Sequence, residues 1–157
     1  MKRLLLFSTL SLLIVACVNQ KNEKRYLPNE VEKAVYFNMP LADFKALKGS
    51  KAEIQDDGMD FRKVFFESVG GTLIEYFGYY FDADNNQPLY EIIIGYNDET
   101  TLNSEAVKLL GAPNYKDTEW RFELEKTHDI LAWTFKKKLI IVALIPETEW
   151  HEEENPE

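Results

Sequence analysis

Residues able to do chemistry are few in this chain, and one of them stands alone. Cys17 is the single cysteine, so no internal disulfide can form and the fold must be stabilised by its core. It follows Ile14-Val15-Ala16, at the end of an apolar run from Leu4 interrupted only by Ser8, Thr9 and Ser11. Lys2 and Arg3 precede the run. A basic head with so short an apolar run reads as a secretory leader, because a membrane span needs about 20 apolar residues. The two histidines are His128 and His151. A metal site would need them to converge with a carboxylate, and nothing in their spacing requires that; the pattern puts His128 in a hairpin turn and His151 in an acidic tail. Asp82-x-Asp84-x-Asn86 opens like a calcium loop. However, Gln87 stands where that loop needs Gly, and Ile93 where it needs a bidentate Glu, so the segment reads as a turn. No nucleophile elbow, P-loop, zincin or dinucleotide fingerprint is present. The expectation is no catalytic residue, no metal, no cofactor and no enzymatic activity.

Ile14-Val15-Ala16-Cys17 resembles the bacterial lipobox: an aliphatic residue, a small residue before the cysteine, then the cysteine. The resemblance implies a signal peptide over 1–16, cleavage after Ala16, a diacylglycerol thioether on Cys17 and acylation of the new amino terminus. Two or more acyl chains hold a protein stably on a bilayer, where one is marginal. Val18 replaces the Asp of the inner-membrane retention signal, which implies the outer membrane. Gln20-Lys21-Asn22-Glu23 loosely resembles the surface-export signal of Bacteroidetes lipoproteins. The expected location is the cell envelope, in the periplasmic or the surface leaflet.

With 45% hydrophobic and 13% aromatic residues the chain can build one real core. The formal net charge is −9, and loss of Lys2 and Arg3 makes it more negative. Such a surface repels phosphate backbones and argues against nucleic acid. The expected partners are the membrane, through lipid on Cys17, and a protein.

These features need elements to position them. Residues 17–38 read as a lipidated terminus and polar tether ending near Pro28, then a short helix over 29–36 capped by Asn29. Residues 39–146 form the body. A helix over 40–48, with Pro40 at its start and Gly49 at its end, precedes strands over 61–67, 72–81 and 89–96. A second helix over 103–110, capped by Asn103 or Ser104 and stopped by Gly111 and Pro113, precedes strands over 120–125, 130–136 and 139–145. In Trp120-Arg121-Phe122-Glu123-Leu124-Glu125 the apolar residues share one face, which Leu131, Trp133 and Phe135 are expected to continue. The fully apolar run from Leu139 reads as a central strand. The fold class is therefore α+β: two tandem helix-strand-strand-strand units (39–97 and 98–146), about 62 residues apart, forming one antiparallel sheet with the helices packed on one face. Residues 147–157 read as a solvated acidic tail.

Ser104-Glu105-Ala106-Val107-Lys108-Leu109-Leu110-Gly111-Ala112-Pro113, followed by a strand with Trp120, resembles the helix-to-strand segment of β-lactamase-inhibitor-protein-like domains. It also resembles that of the small lipoprotein of the barrel-assembly machinery. The resemblance covers most of 39–145, and the inhibitor-like domains carry two such units in tandem. Leu47-Lys48-Gly49-Ser50 departs from the pattern, having no Pro two residues after its Gly.

Tyr76, Phe77, Tyr79, Tyr80 and Phe81 cannot all enter one core, because neighbouring strand residues point to opposite faces. Phe77 and Phe81, with Leu73 and Tyr79, are assigned to the core side. Tyr76 and Tyr80, with Ile74, are assigned to a partly exposed side, where Gly78 leaves a gap for a partner's side chain. The expected function is a membrane-anchored, non-catalytic protein-binding or inhibitor module. The alternatives are a structural accessory of outer-membrane assembly and, last, an envelope hydrolase, which a deep pocket with converging carboxylates would favour.

Overall fold

The computed structural model describes residues 25–154 except 32, 85 and 125. The expected leader, Cys17 and the following residues up to 24 lie outside the described residues. The body is α+β, built on one seven-stranded, wholly antiparallel sheet. In chain order the elements are α1 (Leu41–Lys48), β1 (Glu53–Gln55), β2 (Arg62–Ser68), β3 (Ile74–Asp82), β4 (Leu89–Tyr96), α2 (Glu99–Leu110), β5 (Glu119–Phe122), β6 (Ile130–Phe135), β7 (Lys138–Ala143) and α3 (Glu149–Glu154). The strand order is β1-β2-β3-β4-β7-β6-β5. The apolar β7 is thus an inner strand, as its composition predicts.

One sheet face carries the main core. Phe65, Phe77, Tyr79, Phe81, Ile92, Ile94, Leu139 and Ile141 lie under α1 and α2. Phe44 of α1 packs its ring 4.8 Å from Tyr79 and 4.9 Å from Phe81. Leu102, Ala106 and Leu110 form the buried stripe of α2. Beneath α1 the buried Lys48 donates to Glu67 at 2.8 Å, and Glu67 also accepts from Tyr79 Oη at 2.7 Å. Each buried polar group there has a partner, which offsets the desolvation it suffers.

Several elements differ from expectation. The described residues of 29–36 make turns and bends, not a helix. Isolated short helices are marginal in water, and here Val31, Val35, Phe37 and Met39 gain burial by draping over the core. The buried core also extends before the expected boundary at 39: Tyr26 and Leu27 are each 4% exposed within it, so residues read as tether belong to the body. α2 starts a turn early. Its cap is Asp98, which accepts from Thr101 N at 2.8 Å and Thr101 Oγ1 at 2.7 Å, not Asn103 or Ser104. Gly111 ends α2 at φ 83, as expected, and its carbonyl accepts from Trp120 Nε1 at 3.0 Å. β1 is an additional edge strand. The presumed tail forms α3, preceded by the buried Thr148.

At the β5 edge the side chain of Asn114 imitates a neighbouring strand. Its Nδ2 donates to Arg121 O at 3.0 Å and its Oδ1 accepts from Arg121 N at 2.8 Å. Glu119 O accepts from Tyr115 N, and Glu119 N donates to Lys116 O.

Candidate functional site

The second sheet face follows from strand register, because residues directly opposite share a face. One row runs Tyr80, Glu91, Val142, Leu131, Arg121. The next runs Phe66, Gly78, Ile93, Ile140, Trp133, Glu119. The third runs Tyr76, Gly95, Lys138, Phe135. Ile93, Leu131, Ile140, Val142 and Leu144 form a small buried cluster here, with Tyr76, Tyr80, Trp133 and Trp150 packed on it. Phe135 remains 56% exposed.

This register corrects two expectations. Trp120 lies opposite Ala132, and Phe122 opposite Ile130, on the core face. Leu131, Trp133 and Phe135 therefore line the opposite face from Trp120; alternation within a strand does not say which residue sits across from it. Ile74 also belongs to the core, because a register shift between Ile74 and Tyr76 reverses the alternation, while Leu73 is left exposed.

Tyr76 and Tyr80 do lie together on the second face, both half-buried. Phe77 and Phe81 are in the core, as expected. The opening expected at Gly78 is filled: a Cβ there would meet Tyr80 at 3.2 Å, Ile93 at 3.6 Å and Phe66 at 3.7 Å. Gly95 is tighter still. A Cβ there would come within 2.2 Å of the Tyr76 ring, so this glycine is the seat of that ring.

The most perturbed carboxyl is Glu91, only 4% exposed. Burial pushes it up to about 7, against a hydrogen bond from Trp150 Nε1 at 2.5 Å. Glu149 pushes the same way, while Arg62 and Lys138 oppose it. Burial, then the nearby Glu91, also lifts the Tyr80 hydroxyl to about 12. Trp150 meets Trp133 edge-on at 4.9 Å. Beside it on α3, Glu149 accepts from Tyr90 Oη at 2.7 Å and pairs with Arg62 at 3.1 Å. Arg62 is itself held by Asp57 at 2.6 Å.

A carboxyl protonated near neutral pH beside a second, ion-paired carboxylate is an acid–base arrangement. Here Trp150 covers Glu91, leaving it 4% exposed. Next to Trp150 an open slot of about 190 Å³ is lined by Tyr115, Glu119, Leu131 and Trp133. A second hollow, of about 360 Å³, lies between the N-terminal segment and α2, bounded by Arg25, Tyr96, Glu105 and Lys108.

His128 is partly buried, and its pKa falls below the ordinary histidine value through burial and then through the charge of His151 on α3. The two histidines, read as separate, therefore act on one another. Among the described residues no group of three or more His, Cys, Asp or Glu could hold a metal ion. Asp82 accepts from Asp84 N at 2.7 Å, and Asn86 has φ 69, the geometry of a turn. No described helix is long and apolar enough to cross a membrane.

Sequence alone gives Glu91 no role, puts Trp133 on the Trp120 face and makes Trp150 the one anchor of an acidic tail. A lone acid in the apolar run Leu89–Tyr96 was the available signal for Glu91. Compared with family models, curated proteins and solved structures, the chain matches none.

Proposed function

We propose that this chain is a lipid-anchored envelope lipoprotein that binds a protein partner, without catalysis, through the second face of its sheet. The observation that carries the reading is the aromatic surface on that face. Tyr76, Tyr80 and Trp133 lie over a small apolar cluster, and the exposed Phe135 shares their face. Rigid, half-buried aromatic rings give large contact area at low entropic cost, which is why binding surfaces are enriched in them. Gly78 serves as floor beneath Tyr80 and Phe66, and Gly95 beneath Tyr76.

The anchor is a diacylated Cys17, released from the leader after Ala16, at the outer membrane. The body is two units, α1-β2-β3-β4 and α2-β5-β6-β7, on the pattern of the inhibitor-like domains. Two features support that division: β4 and β7 lie side by side at the middle of the sheet, and Trp120 is fastened to the Leu-Gly-x-Pro corner at Gly111.

The test uses the full chain in its own cell. Metabolic palmitate should label the wild type and not Cys17→Ser, which should leave the membrane fraction. In-cell crosslinking followed by mass spectrometry should capture a protein from the wild type and lose it with Tyr76→Ala/Trp133→Ala. Unchanged capture by that variant refutes the binding face, and unlabelled wild type refutes the anchor.

A further inference from the structure

The last helix is held on the second face in an unusual way. α3 has six residues, too few to be stable alone. Its polar anchorage runs through two carboxylates: Glu149 to Tyr90 and Arg62, and Glu91 to the Trp150 indole. Its apolar anchorage is Trp150 against Trp133 and the Ile93 cluster. The helix thus supplies one wall of the aromatic slot and covers Glu91.

We propose that α3 is a detachable lid on this face, seated while Glu91 is protonated and released when Glu91 ionises. The proposal rests on the binding-face reading only for what the lid uncovers; its movement is a property of the free protein. Around Glu91 stand Tyr80 from β3, Arg62 from β2, Tyr90 from β4, Lys138 from β7, and Glu149 and Trp150 from α3. Arg62 and Lys138 favour the charged form, and Glu149 disfavours it. Burial outweighs them, so the seated helix holds Glu91 near 7. Freed of that cover, Glu91 returns toward the ordinary carboxylate range. A group whose seated-state value is the higher one keeps the lid shut at low pH and loosens it as pH rises from the ordinary carboxylate range to about 7, levelling off above. His128 faces His151 of α3 and gains a proton only below the ordinary histidine range.

Hydrogen exchange of the 147–154 amides in the full chain, corrected for intrinsic rate, reads the lid directly. Between pH 6 and 8.5 the opening constant should rise about 10-fold in the wild type, most of it below pH 7. In Glu91→Gln that rise should vanish. A flat wild-type profile, or an unchanged rise in Glu91→Gln, overturns the proposal. Should Glu91→Gln fail to fold, the Glu91 carboxyl can be followed by carbon NMR in the wild type and in Trp150→Ala. A wild-type midpoint near 7 that drops toward the ordinary range in Trp150→Ala supports the lid; an ordinary wild-type midpoint sinks it. Neither measurement involves a partner, so loss of the binding face and loss of the lid give different results.

Discussion

Gly95 is where the second face has least room, and it sets the shape of the aromatic surface. Gly95→Ala would drive a methyl group into the Tyr76 ring, and overpacking of this kind costs about 1–3 kcal/mol. Urea unfolding should show that loss, and in a Tyr76→Ala background the same change should cost clearly less, because the clash is with that ring. Glu91 gives a prediction of a different kind. Its folded-state value, about 7, lies above the ordinary one, so the folded chain binds the extra proton between roughly pH 4.5 and 7. Its contribution is full below that window and is lost as pH rises through it, by about 1.4 kcal/mol per pH unit at the steepest. The stability of Glu91→Gln relative to wild type should therefore improve from pH 5 to pH 8 in parallel denaturation curves. The Tyr76/Tyr80 pairing was legible from alternation along β3. Glu91 was not, because its cover, Trp150, lies 59 residues away in sequence, in a segment whose composition reads as solvated.

Among elements, α2 shows how a local signal can be passed over. Asp98 caps it through two contacts with Thr101, ahead of two threonines that are poor helix formers, so the better formers further on look like the start. Asp98→Ala should lower the melting temperature by a few degrees, whereas Asn103→Ala, exposed in mid-helix, should leave it nearly unchanged. Thermal unfolding by circular dichroism separates the two. β4 runs over the residues expected of it, Leu89–Tyr96, because its apolar run is bounded by turn residues on both sides. The position of Trp133 was misread for a reason internal to sheets: period-two patterning gives the two faces of each strand, and only cross-strand register says which face joins which. The turns over 29–36 mark the opposite limit, where burial in the finished core decides the backbone and local propensity does not.

For the whole molecule, the N-terminal segment is part of what makes the core close. Leu27→Ala should cost about 2–4 kcal/mol in urea unfolding, as a core truncation does, because Leu27 is 4% exposed. A loss below about half a kcal/mol would mean the segment is merely laid on the surface. The class and most of the strand set were readable from composition and turns, whereas this contribution was not, since a polar lead-in masks two buried residues at its end. One consequence follows from the Asn114 clamp. A sheet with two open borders can recruit copies of itself from either side and lengthen without limit. This one has its β5 border sealed by its own amide, which among the described residues leaves only β1 to meet a neighbour. Two molecules joined there would each have spent their sole vacancy, so association by this route ends at a pair and cannot run on into a fibre. That is a built-in stop against edge-driven fibrillation.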